Sequence, residues 1–230
     1  MGYGAYRGWG SMVRFGALCA AILVSVCVSS GVSARIDRSP YYQQRLASFE
    51  AQPIQSGDIV LLGDSLIAQG RWSELLDRSS LRNFGIGGDT TAAMLRRLHL
   101  VTQAAPRAIV LQIGTNDLRG GAGPDRIIKN YERILRRIRK ESPTSLIVVL
   151  SLPPKQPRHA RSVWQINRAQ RQLAHRYGGI FVDLFEPLRD RYGGMERRYT
   201  TDSVHFSRKG YHVVAAELDD ALAIIEARRN

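Results

Sequence analysis

Cysteine is scarce in this chain, and its placement excludes most cysteine chemistry from the fold. The sequence contains two cysteines, Cys19 and Cys27, and both lie in an uncharged apolar stretch near the N-terminus. Beyond that stretch no thiol is available for a disulfide, a thiolate nucleophile or a metal-binding cysteine set. The histidines and aspartates do not complete a closed set of metal ligands in the sequence either. We therefore expect no metal and no other cofactor.

Acidic residues are also few relative to basic ones. The chain has 33 basic and 20 acidic residues, a formal net charge of +13, and only four of the basic residues are lysines. Such a balance is compatible with an anionic partner. The arginines are scattered, however, and the glycines at 87–88 are not followed by the G-K-[ST] of a phosphate-binding loop. We expect no nucleic acid partner; peripheral contact with an anionic membrane or glycan stays open.

The N-terminus has the pattern of a secretory signal. Arg7 and Arg14 precede the uncharged run FGALCAAILVSVCVSS, and VSA, ending at Ala34, offers the small residues that a signal peptidase reads. The apolar run is short for a membrane span, although an uncleaved membrane anchor stays open. We predict a signal peptide over residues 1–34 and an exported protein, periplasmic or extracellular.

After the signal, the chain divides into two parts. Residues 35–56 are polar and irregular, and a short helix around YYQQRLASFE is the one element that they suggest. From 57 to 230, strand-like and helical segments alternate five times without a linker or a repeat. The run TSLIVVLSLPP is apolar without alternation, which is typical of a buried parallel strand. We predict an α/β domain over 57–230: a three-layer α/β/α, flavodoxin-like, doubly wound fold with a five-stranded parallel sheet.

Polar residues and glycines follow the predicted strands. In such folds the ligand lies outside the carboxyl ends of the strands. Ser65 follows the first strand in IVLLGDSLIAQG, and Gly88 follows the second in GIGGD. Asn116 follows the third strand in GTND, and Asp183 ends the fifth. We therefore expect these residues at one edge of the sheet.

Ser65 by itself has two interpretations. Its surroundings lack the second glycine of the G-x-S-x-G nucleophile elbow. Either Asp64 or Ser65 could simply cap the helix that follows. A serine nucleophile also needs a base, a group that orients the base, and donors for the oxyanion. The rest of the chain must therefore decide between a cap and a nucleophile.

The other groups of such a site are present. Of the five histidines, His205 in the loop DSVHFS is the candidate base, three residues after Asp202. At that spacing one carboxylate can hold the imidazole ring; Asp183 is the rival, and we prefer Asp202. The glycines of GIGGD can offer backbone N–H groups without a side chain in the way. Asn116 can offer its side-chain NH2 group to an oxyanion.

The motifs GDSL, GIGGDTT, GTND and DSVHF, in this order, resemble those of the SGNH hydrolases, also called GDSL esterases and lipases. The resemblance implies that Ser65 is the nucleophile and that Asp202 and His205 complete a catalytic triad. It also implies an oxyanion hole formed by the N–H groups of Ser65 and Gly88 and the side chain of Asn116. The middle motifs particularly resemble the subgroup with the catalytic subunits of platelet-activating-factor acetylhydrolase, which suggests short acyl groups such as acetyl.

The predicted function is therefore that of a serine esterase that forms an acyl-enzyme. Its substrate would be a short acyl or acetyl ester, a lysophospholipid or an O-acetylated glycan, bound by loops 67–72, 152–160 and 185–200. The alternative is a non-catalytic glycan- or lipid-binding module on the same fold. The sequence leaves the physiological substrate and the oligomeric state open.

Overall fold

A computed structural model describes Met1 and residues 39–227 of the chain. The predicted signal peptide lies outside the described residues apart from Met1, so its cleavage and the export of the protein stay predictions. No helix within the described part of the chain is long and apolar enough to span a membrane.

Five parallel strands form one sheet within the described residues, in the order β2-β1-β3-β4-β5. This order is that of a flavodoxin-like, doubly wound sheet, so the predicted fold class is confirmed. The strands are β1 (Ile59–Gly63), β2 (Leu81–Gly85), β3 (Ala108–Gln112), β4 (Leu146–Leu150) and β5 (Ile180–Val182).

Helices connect the strands and cover both faces of the sheet. The longest are amphipathic, with an apolar stripe towards the sheet and arginines towards solvent, as in the helix that follows GTND. The α-helices are α1 (Pro40–Glu50), α2 (Ser65–Ala68), α3 (Trp72–Leu76), α4 (Thr91–Arg97), α5 (His99–Thr102), α6 (Thr115–Arg119), α7 (Pro124–Glu141), α8 (Ala160–Arg176), α9 (Phe185–Leu188) and α10 (Arg208–Ala227); Pro157–His159 and Arg197–Tyr199 form 3₁₀ turns.

The strand side chains divide between two cores. Successive residues of a strand point to opposite faces, and both faces are buried here because helices cover each of them. In β1, Ile59 and Leu61 pack with α3 and α10, whereas Val60 and Leu62 pack with α1, α4, α7 and α8. Burial of one such side chain is worth about 1.5–3 kcal/mol. The sheet therefore forms the middle of three layers, as the apolar runs predicted.

Helix α1 confirms the short helix that the sequence suggested within residues 35–56. It buries Tyr42 and Phe49 in the same core as the sheet, and the Phe49 ring stacks on Phe84 of β2 with ring centroids 4.2 Å apart. The Arg45 guanidinium donates to the carbonyl of Gly85, at the carboxyl end of β2. This segment therefore packs against the strand that leads into the glycine turn of GIGGD.

Candidate active site

Ser65 lies at the sharp turn between β1 and α2. A side chain on Gly63 would overlap the side chain of Ile67 and the carbonyl of Gln112, so only glycine fits where the strand turns into the helix. Asp64 is the cap, because its Oδ1 accepts a hydrogen bond from the Leu66 N–H at 3.0 Å. Capping therefore does not use the hydroxyl of Ser65, a residue that is 7% exposed.

His205 reaches Ser65 from the loop that precedes α10. Its Nε2 lies 3.0 Å from Ser65 Oγ, and its Nδ1 lies 2.7 Å from Asp202 Oδ2. The other oxygen, Oδ1, accepts from the backbone N–H groups of His205 at 2.7 Å and Val204 at 3.0 Å. Ser203 supports this tight turn with a left-handed φ of 68°. The carboxylate thus holds both the ring and the backbone of the histidine.

The contacts of Asp202 also fix its charge. Burial raises the pKa of this carboxyl, but the hydrogen bonds from His205 and Val204 outweigh burial and bring the pKa down to about 2. Asp202 therefore remains ionised at any pH near neutrality. An ionised carboxylate on Nδ1 favours the tautomer in which Nε2 can accept a proton.

Asp183 has other partners. Its Oδ1 accepts from the Phe185 N–H at 2.8 Å, at the start of α9, and its Oδ2 lies 3.1 Å from Arg171 Nη2 on α8. These contacts give the aspartate that follows β5 a structural role, which does not require it to take part in catalysis. The structure brings Asp202, rather than Asp183, to the histidine.

Gly88 and Asn116 meet at the neighbouring strand ends. Gly88 has a φ of 81°, a conformation that favours glycine, in a turn closed by the hydrogen bond from the Asp89 N–H to the Ile86 carbonyl. Asn116, in α6, donates from Nδ2 to the Asp89 carbonyl at 2.9 Å. Among the described residues the Gly88 N–H has no hydrogen-bond partner. Two of the three candidate oxyanion donors are thus tied to one turn.

A buried arginine, which the sequence reasoning missed, supports that turn. Arg97 is 3% exposed, and its Nη2 lies 2.7 Å from Asp89 Oδ2. It also donates to the carbonyls of Gly63 and Phe84, each at 3.0 Å, so it links the ends of β1 and β2. In the sequence it is one arginine among many in an amphipathic helix. The acid at 89, directly after the glycine pair, was the only available signal.

Asp117 is a second buried support. Its carboxylate accepts from the Thr91 N–H at 2.9 Å and from the Thr91 hydroxyl at 2.5 Å, and Asn130 donates to that hydroxyl at 3.0 Å. Burial raises the pKa of Asp117. The contact joins α6, which carries Asn116, to the start of α4.

Asp64, which directly precedes Ser65, and Lys155 are two further buried ionisable residues. Burial raises the pKa of Asp64 to about 7; the hydrogen bond from the Leu66 N–H and, to a smaller degree, the charge of Lys155 oppose that rise. Lys155 is 6% exposed, and its ammonium donates to the Thr115 carbonyl at 3.1 Å. The sequence placed Lys155 in a substrate loop, but its side chain points into the protein. No group of three or more potential metal ligands is found among residues 39–227.

The comparisons with known proteins identify the family. Residues 61–213, more than half of the chain, match the model of the GDSL-like lipase/acylhydrolase family. The chain belongs to this family. The GDSL resemblance predicted from the motifs is thereby confirmed, and the chain is an enzyme of the lipase and acylhydrolase class, which acts on ester bonds.

Relatives within the GDSL-like family include acetylhydrolase subunits. The chain is 28% identical over 176 residues to the platelet-activating factor acetylhydrolase IB subunit alpha1 of Bos taurus, covering 72% of this chain and 75% of that protein. It is 34% identical over 104 residues to the alpha2 subunit of Rattus norvegicus, covering 43% and 44%. A GDSL-like lipase from Bacteroides thetaiotaomicron has a TM-score of 0.67 at 19% identity over 81% of this chain and 98% of that one, which shows the shared fold.

Proposed function

We propose that this GDSL-like enzyme is a serine esterase that hydrolyses short acyl esters through an acyl-enzyme. The observation that carries the proposal is the unbroken series of contacts from Ser65 Oγ to His205 and from His205 to Asp202. A hydroxyl, an imidazole and an ionised carboxylate in this order are the parts of a serine nucleophile with its base. Ser65 is buried and the His205 ring is half-buried. In this proposal the carbonyl of an ester reaches Ser65 Oγ from the edge of the sheet at which the strands end.

In the first step Ser65 Oγ attacks the carbonyl carbon while its proton passes to His205 Nε2. The π electrons of the carbonyl move to the oxygen, which becomes a tetrahedral oxyanion. Asp202 stabilises the imidazolium without taking its proton. Collapse of the intermediate expels the alcohol oxygen, which receives the proton from His205 and leaves the acyl group on Ser65.

The oxyanion is stabilised by three donors in this proposal: the N–H groups of Ser65 and Gly88 and the NH2 group of Asn116. The free N–H of Gly88 and its link to Asn116 through the Asp89 carbonyl support their joint action. One such donor typically lowers the barrier by about 2.7–4 kcal/mol. The second half of the reaction repeats the first, with water as the nucleophile and His205 again as the base.

Short acyl groups are proposed because two relatives are named as acetylhydrolases, and because the GIGGDTT and GTND motifs resemble those of that subgroup. A cavity of about 480 Å³ lies next to the nucleophile helix, between the loop at 67–72 and α10. Tyr211 lines the cavity and donates to the Leu66 carbonyl at 3.0 Å. Arg208 and the ion pair of Arg71 with Glu74 line it as well. The Arg208 guanidinium fits the anionic part of a lysophospholipid or an acidic O-acetylated glycan. Either partner agrees with the proposed export to the periplasm or beyond.

The test is hydrolysis of p-nitrophenyl esters of increasing chain length by the purified chain. We expect hydrolysis of the acetate ester and a fall in kcat/KM as the acyl chain lengthens. Ser65→Ala should abolish the activity and keep the fold, whereas the matched control Ser73→Ala, an exposed serine of α3, should keep both. Activity retained by Ser65→Ala would overturn the proposed mechanism.

The natural substrate class is tested with two further esters, a lysophospholipid and an acetylated polysaccharide. Release of fatty acid from the first supports a lipid substrate, and release of acetate from the second supports a glycan. Arg208→Ala should weaken binding of whichever substrate is anionic, with KM rising while kcat changes little. A KM that stays the same would remove Arg208 from substrate recognition.

A further inference from the structure

Lys155 is a buried lysine with no part in the proposed chemistry. Its side chain is 6% exposed, and its ammonium donates to the Thr115 carbonyl at 3.1 Å. Burial of a charge is costly unless the charge is paired or hydrogen-bonded. An apolar side chain of similar length would avoid that cost, so the retained ammonium calls for a physical reason.

The carbonyl that the ammonium contacts lies in the candidate site. Thr115 directly precedes Asn116 and is the first residue of α6. Among the described residues, Asp64 Oδ2 and Thr115 Oγ1 are buried without a hydrogen-bond partner. Lys155 is thus the buried cation that contacts the asparagine turn.

The backbone that carries Lys155 is itself fixed. Lys155 pairs with Gly194 in an isolated β-bridge. Three residues earlier, the N–H and carbonyl of Leu152 bond to the side-chain amide of Asn167 on α8, each at 2.9 Å. The loop that carries Lys155 is therefore fixed by its own backbone contacts. The ammonium can thus restrain the neighbouring turn, because the lysine does not move with that turn.

The turn that Lys155 contacts depends on such support. Gly114, just before Thr115, has a φ of 125°, and α6 has no side-chain cap at its start. The direction of the Thr115 carbonyl sets the orientation of the next peptide and so of Asn116. A shift of about 1 Å at a group that stabilises a transition state can reduce the rate by as much as about a hundredfold.

We propose that Lys155 is a positioning residue that holds Asn116 against the oxyanion by fixing the turn at the start of α6. Its ammonium restrains the asparagine turn through the hydrogen bond to the Thr115 carbonyl. The proposal rests on the proposed function of Ser65 and Asn116. Lys155 itself does not touch the substrate.

The test is a double-mutant cycle of Lys155→Met and Asn116→Ala, followed by kcat and KM for p-nitrophenyl acetate. Lys155→Met should lower kcat by about tenfold to a hundredfold with KM within about twofold of the wild type. In the Asn116→Ala background the same substitution should lower kcat by less than about threefold, because residues that act as a unit are not additive. Lys140→Met, an exposed lysine at the end of α7, is the matched control and should change neither constant.

Equal losses of kcat in both backgrounds would overturn the proposal, and so would a change confined to KM. If Lys155→Met does not fold, the same cycle with Lys155→Gln, which keeps a donor and removes the buried charge, decides by the same criteria. Ser65→Ala distinguishes a failure of the role of Lys155 from a failure of the proposed esterase function. An inactive Ser65→Ala with an additive cycle refutes the role of Lys155 alone, whereas an active Ser65→Ala refutes the proposed function together with it.

Discussion

His205 Nε2 and Ser65 Oγ lie 3.0 Å apart, although 140 residues separate them along the chain. The first strand and the loop before the last helix must both be in place before this contact exists. The contact therefore depends on the whole parallel sheet, and its residues are held by local features at each end: the Asp64 cap under Ser65 and the Asp202 carboxylate under His205. Activity should consequently be lost in the same transition as the fold.

Replacement of His205 should remove the base and leave the fold. We expect His205→Gln to lower kcat by about a hundredfold to ten-thousandfold, the usual contribution of a general base. His175→Gln, at an exposed position of α8, is the control and should keep full activity. Steady-state hydrolysis of p-nitrophenyl acetate measures both. A His205→Gln enzyme with kcat near that of the wild type would remove the histidine from the mechanism.

Asn116→Ala should reduce kcat by about a hundredfold to a thousandfold while KM changes little, because an oxyanion donor acts mainly in the transition state. The substitution also removes the hydrogen bond to the Asp89 carbonyl, so thermal unfolding of the variant should be recorded beside the kinetics. An unchanged kcat in a folded Asn116→Ala protein would exclude Asn116 from the oxyanion hole.

Arg97→Ala should destabilise the protein strongly. It would leave the Asp89 carboxylate buried without its cation, and loss of one partner of a buried ion pair costs about 3–5 kcal/mol of unfolding free energy. Urea unfolding measures the change, with Arg136→Ala, an exposed position of α7, as the matched control. A loss no larger than in the control would mean that Arg97 does not support the glycine turn.

Asp64 should make stability depend on pH. Burial raises its pKa from 3.8 to about 7. Repulsion by Asp89 and Asp117 adds to this rise, whereas the hydrogen bond from the Leu66 N–H and the charge of Lys155 oppose it. Between these two pH values the native state holds a proton that the unfolded chain has released. Stability therefore falls as pH rises through this window and levels off above it.

Asp64→Asn removes that titration. The free energy of unfolding of the wild type, minus that of Asp64→Asn, should therefore decrease between a pH of about 4 and a pH of about 7. Urea unfolding of both proteins over this range gives the difference directly. A difference that is independent of pH would show that Asp64 does not titrate in the window.

The sheet and the candidate site could be predicted because their signals are local. Strands buried on both faces are apolar runs, and parallel strands bring their carboxyl ends to one edge. The motifs that end the strands therefore had to meet. The sequence could not decide whether Asp64 or Ser65 caps α2, because both residue types cap helices. In the structure Asp64 is the cap, since its side chain accepts a hydrogen bond from the Leu66 N–H.

The burial of single charged side chains could not be predicted from the sequence. Lys155 lies in a proline-rich, basic segment that is typical of solvated loops, and Arg97 lies in a helix with many arginines. Whether such a side chain faces water depends on what packs over it in three dimensions. In both cases the decisive neighbour, Thr115 or Asp89, is known only once the strand ends are assembled.

The most direct test of the account is the site of covalent labelling by a fluorophosphonate, which traps an activated serine. We expect one label per chain, located by mass spectrometry of the peptide that contains Ser65, and the loss of esterase activity in proportion to labelling. Ser73→Ala should label like the wild type, and Ser65→Ala should not label. Labelling of Ser65→Ala, or an adduct on any other residue, would contradict the assignment of Ser65 as the nucleophile.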